Sequence, residues 1–305
     1  MTADGGGAPA FGEGSTTLAP VAADGVRLRG AFAPGAGRGL VALLHGRTEF
    51  LEKYAPVAAA LAERGFAVAS VDWRGQGASR RPVGHPLKGH VDDFAEYQRD
   101  LAALLAAVPE TPGPRVMVAH SMGGAIGLRA LLAPGHGFDA AIFTAPMWGL
   151  TSSWAARRFG PPLARLASRL GFGSAYAPGG GREPYVLDGF EGNLLTGDAE
   201  EFERIRALTE AHPSLALAGP TYGWIAAAFA EMAALEPSPL ETPSMVALGS
   251  EERVTSPAAI GARAARDGLA LVELDGARHE PFFETPEIRG RLWAAIDAFL
   301  AERGI

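Results

Sequence analysis

The chain has 305 residues, a net charge of −7 and no cysteine. Its length gives room for one large domain, or a core with an insertion, and 48% hydrophobic with 20% charged residues is the balance of a globular protein. The acidic surplus argues against nonspecific nucleic-acid binding, and the missing thiols exclude a disulfide framework, a thiolate metal site and a cysteine nucleophile.

Residues 1–15 are Gly-rich and polar and are expected to form a disordered tail. No basic start followed by an apolar run occurs in residues 1–20, so no secretory leader is expected, and no apolar run approaches the ~18 residues of a membrane span. A cytoplasmic chain is therefore expected, and the Ala-, Gly- and Pro-rich composition, with two lysines against 25 arginines, looks like that of a GC-rich bacterial genome. Peripheral contact with the inner membrane stays open.

Thr17 to Ala22 and Val26 to Phe32 are strand-like, with Asp24-Gly25 as a hairpin turn. Gly39 to Leu44 is an unbroken apolar run, as a strand buried on both faces requires. It ends in His45-Gly46-Arg47-Thr48-Glu49-Phe50. Helical spacing follows over 51–65, a second buried strand over Phe66 to Asp72, a Gly-rich loop to Ser79, and a helix over 91–108. Val116 to Ala119 is the next strand, and a helix over 121–132 and a strand over Ala140 to Thr144 come after it. The alternation breaks at Pro146 and resumes with the strand Ser244 to Gly249, a helix at 257–267, the strand Ala270 to Leu274 and an amphipathic helix at 285–302. Strands alternating with helices predict a mostly parallel, doubly wound α/β sheet. The core spans 16–146 and 238–305, and 147–237 is a mainly helical insertion forming a cap.

The chemistry centres on Ala119-His120-Ser121-Met122-Gly123. A buried strand that bends at a serine into a helix, flanked by small residues, is the nucleophile elbow of the α/β-hydrolases. Ala119 stands where that pattern usually has glycine. A serine hydroxyl needs a base, and the base an orienting acid. In this fold they follow the serine as acid, then histidine. Of the seven histidines, His279 alone lies after the last strand, so it is the expected base. His45 is assigned to shaping its loop, and His120 is expected to point away from the serine. His85 and His90 could be a metal pair, but no further ligand pattern joins them. The loop after the strand ending at Gly249 offers Glu251 and Glu252 as the acid. Glu252, just before Arg253-Val254, fits the hydrolase pattern better, and Glu251 competes. The oxyanion hole needs two backbone N–H groups, expected from Met122 and Arg47.

The strings His45-Gly-Arg-Thr-Glu-Phe-Leu-Glu-Lys-Tyr54, Asp72-Trp-Arg-Gly-Gln-Gly77, Ala119-His-Ser-Met-Gly123 and Gly276-Ala-Arg-His-Glu280 resemble the lysophospholipase L2 group of α/β-hydrolases. That group sits near the monoacylglycerol lipases, in a superfamily that also holds serine aminopeptidases. Asn193-Leu-Leu-Thr-Gly-Asp198 and Pro220-Thr-Tyr-Gly-Trp224 extend the resemblance into the insertion. It departs at Glu252, where the family usually has aspartate.

The resemblance implies a serine ester hydrolase working through an acyl-enzyme, without metal or organic cofactor. Its substrates would be lysophospholipids, monoacylglycerols or small esters. An aminopeptidase, which needs cap acids to hold the substrate amine, and a non-catalytic binding module are the alternatives. An epoxide hydrolase or dehalogenase would need a carboxylate in place of Ser121. Trp148, Phe159, Tyr222 and Trp224 are candidates to line an acyl pocket. Residues 151–182 carry Arg157, Arg158, Arg165, Arg169 and Arg182 without an acid. Leu163, Leu166, Ala167 and Leu170 share one helical face there. This stretch reads either as a lid that meets anionic lipid or a phosphate headgroup, or as an ordinary cap helix with a solvated face. Oligomeric state has no sequence signal.

Overall fold

The computed structural model describes residues 9–81, 83–151, 153–178 and 181–305. Eight strands form one sheet in the order β1-β2-β4-β3-β5-β6-β7-β8. The first two, β1 (Thr16–Leu18) and β2 (Gly30–Ala33), are antiparallel to their neighbours. The rest run parallel: β3 (Gly39–Leu44), β4 (Phe66–Val71), β5 (Arg115–His120), β6 (Ala140–Thr144), β7 (Ser244–Gly249) and β8 (Ala270–Leu274). The expected hairpin forms, with Val21 bridged to Arg27 across Asp24-Gly25, but its strands are shorter than the apolar pattern suggested. Among the described residues there are eight α-helices: α1 (Ala55–Glu63), α2 (Ala95–Ala107), α3 (Met122–Leu131), α4 (Trp154–Ala167), α5 (Ala199–Ala211), α6 (Tyr222–Leu235), α7 (Pro257–Asp267) and α8 (Pro286–Ala301). Five follow the expected alternation, and α4, α5 and α6 run in succession between β6 and β7.

The central strands are apolar throughout because helices cover both faces of the sheet. Alternate residues feed two cores. Leu40, Ala42 and Leu44 of β3 join Met117 and Ala119 of β5 on the face covered by α2, α3 and α6. Val41, Leu43, Val116 and Val118 pack on the opposite face with α1 and α8. Residues 1–8 of the expected tail lie outside the described residues. Residues 9–15 do not behave as a disordered tail: they form turns, and Phe11 is buried in the second core. Its aromatic ring recovers burial energy that the surrounding glycines cannot supply. Gly179 and Gly180 are also outside the described residues.

Between β6 and β7 the chain runs through α4, α5 and α6 and adds no strand to the sheet among the described residues. This insertion is sewn to the loop after β8. His279 and Glu280 donate their backbone N–H to Leu194 O and Leu195 O, at 3.3 and 2.8 Å. Arg278 Nη1 donates to Asn193 O and Thr196 O, and Thr196 Oγ1 donates to Phe283 O.

The bend from β5 into α3 leaves no room for side chains. A Cβ on Gly123 would lie 2.1 Å from Leu44 O, whereas one on Gly127 would meet the flexible Met117 Sδ at 2.5 Å. Ala119 is tolerated at the elbow because Gly127 faces it, with 3.4 Å between Ala119 Cβ and a Cβ built on Gly127. Gly123→Ala should therefore destabilise the fold by about 3 kcal/mol, and Gly127→Ala by distinctly less. Denaturant midpoints of the two variants check this ordering.

Candidate active site

Ser121 occupies the bend with φ 50° and ψ −117°, a region that a non-glycine residue enters only when its surroundings hold it there. Its N–H donates to Thr144 O of β6 at 3.1 Å, and its carbonyl accepts from Gly124 N and Met147 N at 2.8 Å. The side chain is thereby turned out from the C-terminal edge of the sheet. Its Oγ lies 3.0 Å from His279 Nε2, and His279 Nδ1 lies 2.8 Å from Glu252 Oε2.

Of the two competing acids, Glu252 is the one that reaches the imidazole. Its other oxygen accepts from Val254 N and Thr255 N at 2.6 and 2.9 Å. Burial acts to raise the Glu252 carboxyl, but the His279 hydrogen bond and charge with these two N–H groups outweigh it and hold the pKa below the usual carboxylate value. Glu251 points outward, its side chain half exposed, 3.6 Å from Arg278. The extra methylene of a glutamate is absorbed by the turn at 250–255, where Oε1 caps the chain as Oε2 meets the ring.

The loop 45–50 faces the serine. A Cβ built on Gly46 would be 3.1 Å from Ser121 Cβ. Thr48 sits at φ 64° with its N–H on Gln76 Oε1 at 2.8 Å, and Trp73 Nε1 donates to His45 O at 3.0 Å. The Asp72–Ser79 loop thus props the loop from behind, and His45, with Nδ1 on Gly46 O at 2.9 Å, closes its start. Among the described residues neither Arg47 N–H nor Met122 N–H has an acceptor, which leaves both for an incoming oxygen.

His120 does not point away as expected. Its ring lies 4.9 Å from that of His279, with Nδ1 on Thr144 O and Oγ1. Burial pushes its pKa down to about 3, so it is neutral near pH 7. Below it, Lys53 Nζ bridges Glu49 Oε1 at 2.5 Å and Glu280 Oε1 at 2.6 Å. Tyr54 OH and Gly46 N donate to the other Glu49 oxygen. Glu49, His120 and Glu280 are the group of metal-capable donors found close together among the described residues. The Lys53 ammonium already bonds both carboxylates, so the cation of this cluster is part of the chain. His90 is spent on Thr221 Oγ1, and His85 packs against Tyr176.

Ser121 and His279 open into a cavity of about 350 Å³. Met147, Leu150, Val186, Leu194, Leu195 and Leu217 give it aliphatic walls, and Trp224 of α6 lines it as expected. Trp148, Phe159 and Tyr222 do not, and Phe159 is exposed. Trp148 is packed behind the elbow, with its ring 5.0 Å from Phe143 and Nε1 on Gly124 O. Tyr222 starts α6, and its N–H is tied to Ala175 O. Tyr185, on a short 3-10 turn at Tyr185–Asp188, lines the cavity instead. That turn carries no periodic apolar signal, which is why the sequence did not single it out.

Glu252→Gln should keep the fold and lower kcat by about 10⁴-fold, as loss of the orienting carboxylate does in such triads. Glu251→Gln should stay within about 3-fold of wild type. Steady-state ester hydrolysis by both variants separates the two acids.

The comparisons place the chain in a family and support its fold. The family model for serine aminopeptidase, S33, matches residues 35–286. The lysophospholipase L2 of Escherichia coli strain K12 is 33% identical over 281 residues, covering 85% of this chain and 80% of that protein. The probable lysophospholipase L2 of Haemophilus influenzae is 27% identical over 86% of this chain and 84% of its own. Among solved structures, a soluble variant of monoglyceride lipase from Saccharomyces cerevisiae superposes with a TM-score of 0.73 at 20% identity, over 94% of this chain and 96% of that one. A carboxyl esterase from Bacillus coagulans gives 0.72 at 18%, over 94% and 98%. These structural matches carry the α/β-hydrolase fold. With a family model covering most of its length and a long, well-covered relative, the chain belongs to the serine aminopeptidase S33 family of α/β-hydrolases, alongside the lysophospholipase L2 proteins.

Proposed function

We propose that this ester hydrolase cleaves single-chain lipid esters through an acyl-enzyme. The observation that carries the reading is the Ser121–His279–Glu252 relay, at 3.0 and 2.8 Å, opening into a cavity walled by aliphatic side chains. Ser121 attacks the ester carbonyl while His279 Nε2 takes the hydroxyl proton. The carbonyl π pair moves to oxygen, and the N–H groups of Arg47 and Met122 receive it. Collapse of the tetrahedral intermediate expels the alcohol, which leaves with the proton from His279. Water, deprotonated by the same imidazole, then attacks the acyl-serine and releases the fatty acid. Glu252 stabilises the imidazolium in both halves.

Two relatives bear names that match this chemistry, lysophospholipase L2 and monoglyceride lipase. The aminopeptidase alternative is not favoured. It calls for acids of 183–210 facing the substrate amine, and none of them lines the cavity. Asp198 caps α5, Glu201 pairs with Arg204 and Arg289, and Glu203 and Glu210 pair with Arg206. Ser121→Ala should lose about 10⁶-fold in kcat on p-nitrophenyl esters, and a fluorophosphonate should label Ser121 in the folded wild type. Undiminished turnover by the variant would sink the reading.

The same reading extends to the membrane. Leu163, Leu166, Leu170 and Phe172 are 53–65% exposed, although this helix turns Ala164 into the molecule. Exposed Arg158, Arg165 and Arg169 lie among them. The insertion thus presents apolar anchors beside arginines that make no ion pair among the described residues, which suits an anionic lipid surface better than open water. No helix among the described residues is long and apolar enough to cross a membrane, so this contact is peripheral. Replacing Leu163, Leu166 and Leu170 by Ser should weaken sedimentation with phosphatidylglycerol vesicles by about 10-fold or more, with hydrolysis of a water-soluble ester nearly unchanged. Equal sedimentation of both proteins would contradict it.

A further inference from the structure

Four charged side chains line the cavity: Arg47, Glu49, Lys53 and Glu280. Three of them answer one another, since Lys53 bonds both carboxylates. Arg47 is left out. Among the described residues it makes no ion pair. Its Nη1 and Nη2 donate to backbone carbonyls of Ala218 and Gly219 at 3.1 and 3.0 Å, and its buried Nε has no partner. The guanidinium lies 4.9 Å from the Trp224 ring. Burial pushes its pKa down to about 10, with only the phenols of Tyr97 and Tyr176 acting in the other direction. It remains charged at neutral pH.

A guanidinium offers five N–H donors in a rigid fork, and two are in use here. Burying a cation without a counter-charge is costly, and this chain accepts that cost in the wall of its substrate cavity. Arg74 is answered by Asp100, Asp24 and Glu96, and Arg29 by Asp72 and Glu52. Arg81 also makes no ion pair among the described residues and gives its donors to the carbonyls of Pro86, Ser214 and Ala216, but it does not line the cavity. Arg47 sits where a substrate could bring the missing anion. Its backbone adjoins Gly46, which touches the reacting serine, so the side chain begins beside the ester carbonyl and ends a side-chain length away. In a lysophospholipid the phosphodiester lies one glycerol unit from the ester carbonyl. In a monoacylglycerol that position holds a neutral hydroxyl. The fatty-acid carboxylate, the other anion of the reaction, forms at Ser121 itself rather than at this remove.

We propose that Arg47 reads the phosphate of the substrate: with the ester carbonyl at Ser121, its unused N–H groups bind a phosphodiester oxygen and select lysophospholipid over monoacylglycerol. The proposal rests on the ester-hydrolase reading of Ser121 and names its substrate class. Arg47 then serves twice, its backbone toward the oxyanion and its side chain toward the headgroup. The role falls to a core loop and not to the arginines of the insertion.

The test compares kcat/KM for 1-lauroyl lysophosphatidylethanolamine and 1-lauroylglycerol, as monomers, in wild type, Arg47→Lys and Arg47→Met. Absolute rates are expected to fall on both substrates, because the residue also shapes the oxyanion loop. The ratio of the two should drop by about 10- to 100-fold in Arg47→Met, the worth of a charge-assisted hydrogen bond, and by less in Arg47→Lys. An unchanged ratio would overturn the proposal and leave Arg47 a structural clamp. A second arm needs no Arg47 variant. In wild type, sn-glycero-3-phosphoethanolamine should inhibit hydrolysis of p-nitrophenyl butyrate competitively, and glycerol at the same concentration should not. No inhibition by the phosphodiester, or inhibition by inorganic phosphate just as strong, would overturn the lysophospholipid assignment. Thermal-shift binding of the same phosphodiester to Ser121→Ala reads the site without turnover. Failure of fluorophosphonate labelling, with that binding intact, would count against the hydrolase reading alone.

Discussion

Everything at this site depends on keeping one serine in a backbone conformation it would not choose. At φ 50° Ser121 is strained, at a cost on the order of 1–3 kcal/mol. Three contacts over-determine it: the ladder bond to Thr144 O, the turn closed by Gly124 N, and the Met147 N–H on its carbonyl. The third comes from the first residues past β6, so the point where the chain leaves the sheet for its insertion also locks Ser121. Gly123 and Gly127 let α3 approach close enough for these bonds to form. The exposed hydroxyl is a product of the packing of β3, β5, β6 and α3, and it has no independent local cause.

The loop opposite is rigid for a different reason. Glu49, Lys53, Tyr54 and Glu280 are buried together, and each would be costly alone. Bonded to one another they fix the backbone of residues 46–49 from below. Desolvation works against all of these charges. The attraction of Lys53 nevertheless holds the Glu49 carboxyl low, down to about 2. The two carboxylates in turn raise the pKa of Lys53 above its ordinary value. Glu280 directly follows His279, so the cluster also anchors the base. The nucleophile side is held by sterics and ladder bonds, and the oxyanion side by buried charge.

The sequence revealed chain order and residue chemistry well and side-chain destination poorly. Ser121, His279 and Glu252 could be grouped from chain order because the fold dictates which loop carries each role, and the structure brings their side chains together. The choice of Glu252 over Glu251 rested on a neighbouring pattern and came out in the geometry as contact versus exposure. Trp148 and Tyr222 show where such reasoning stops. A large aromatic in an insertion can fill the core behind the elbow or cap a helix as readily as line a pocket, and periodicity does not distinguish these fates. Leu163, Leu166 and Leu170 made an apolar face in the sequence, but only the structure shows that it turns outward. Phe11 was missed because one aromatic among glycines carries no pattern. Arg47 was read for its backbone alone, since nothing in a sequence announces that a cation lacks a counter-charge.

The stitching of residues 193–198 onto 278–284 has a consequence for the ancestry and engineering of such enzymes. The insertion enters and leaves the sheet between β6 and β7, which suggests a cassette. Yet its middle accepts the backbone N–H groups of the base and its neighbour, and its end accepts the side chain of Arg47. It is a co-scaffold of the catalytic loops. Swapping it for a relative's insertion would therefore mean transplanting the histidine loop and the Arg47 position with it, so these distant stretches of chain are bound to evolve as one unit.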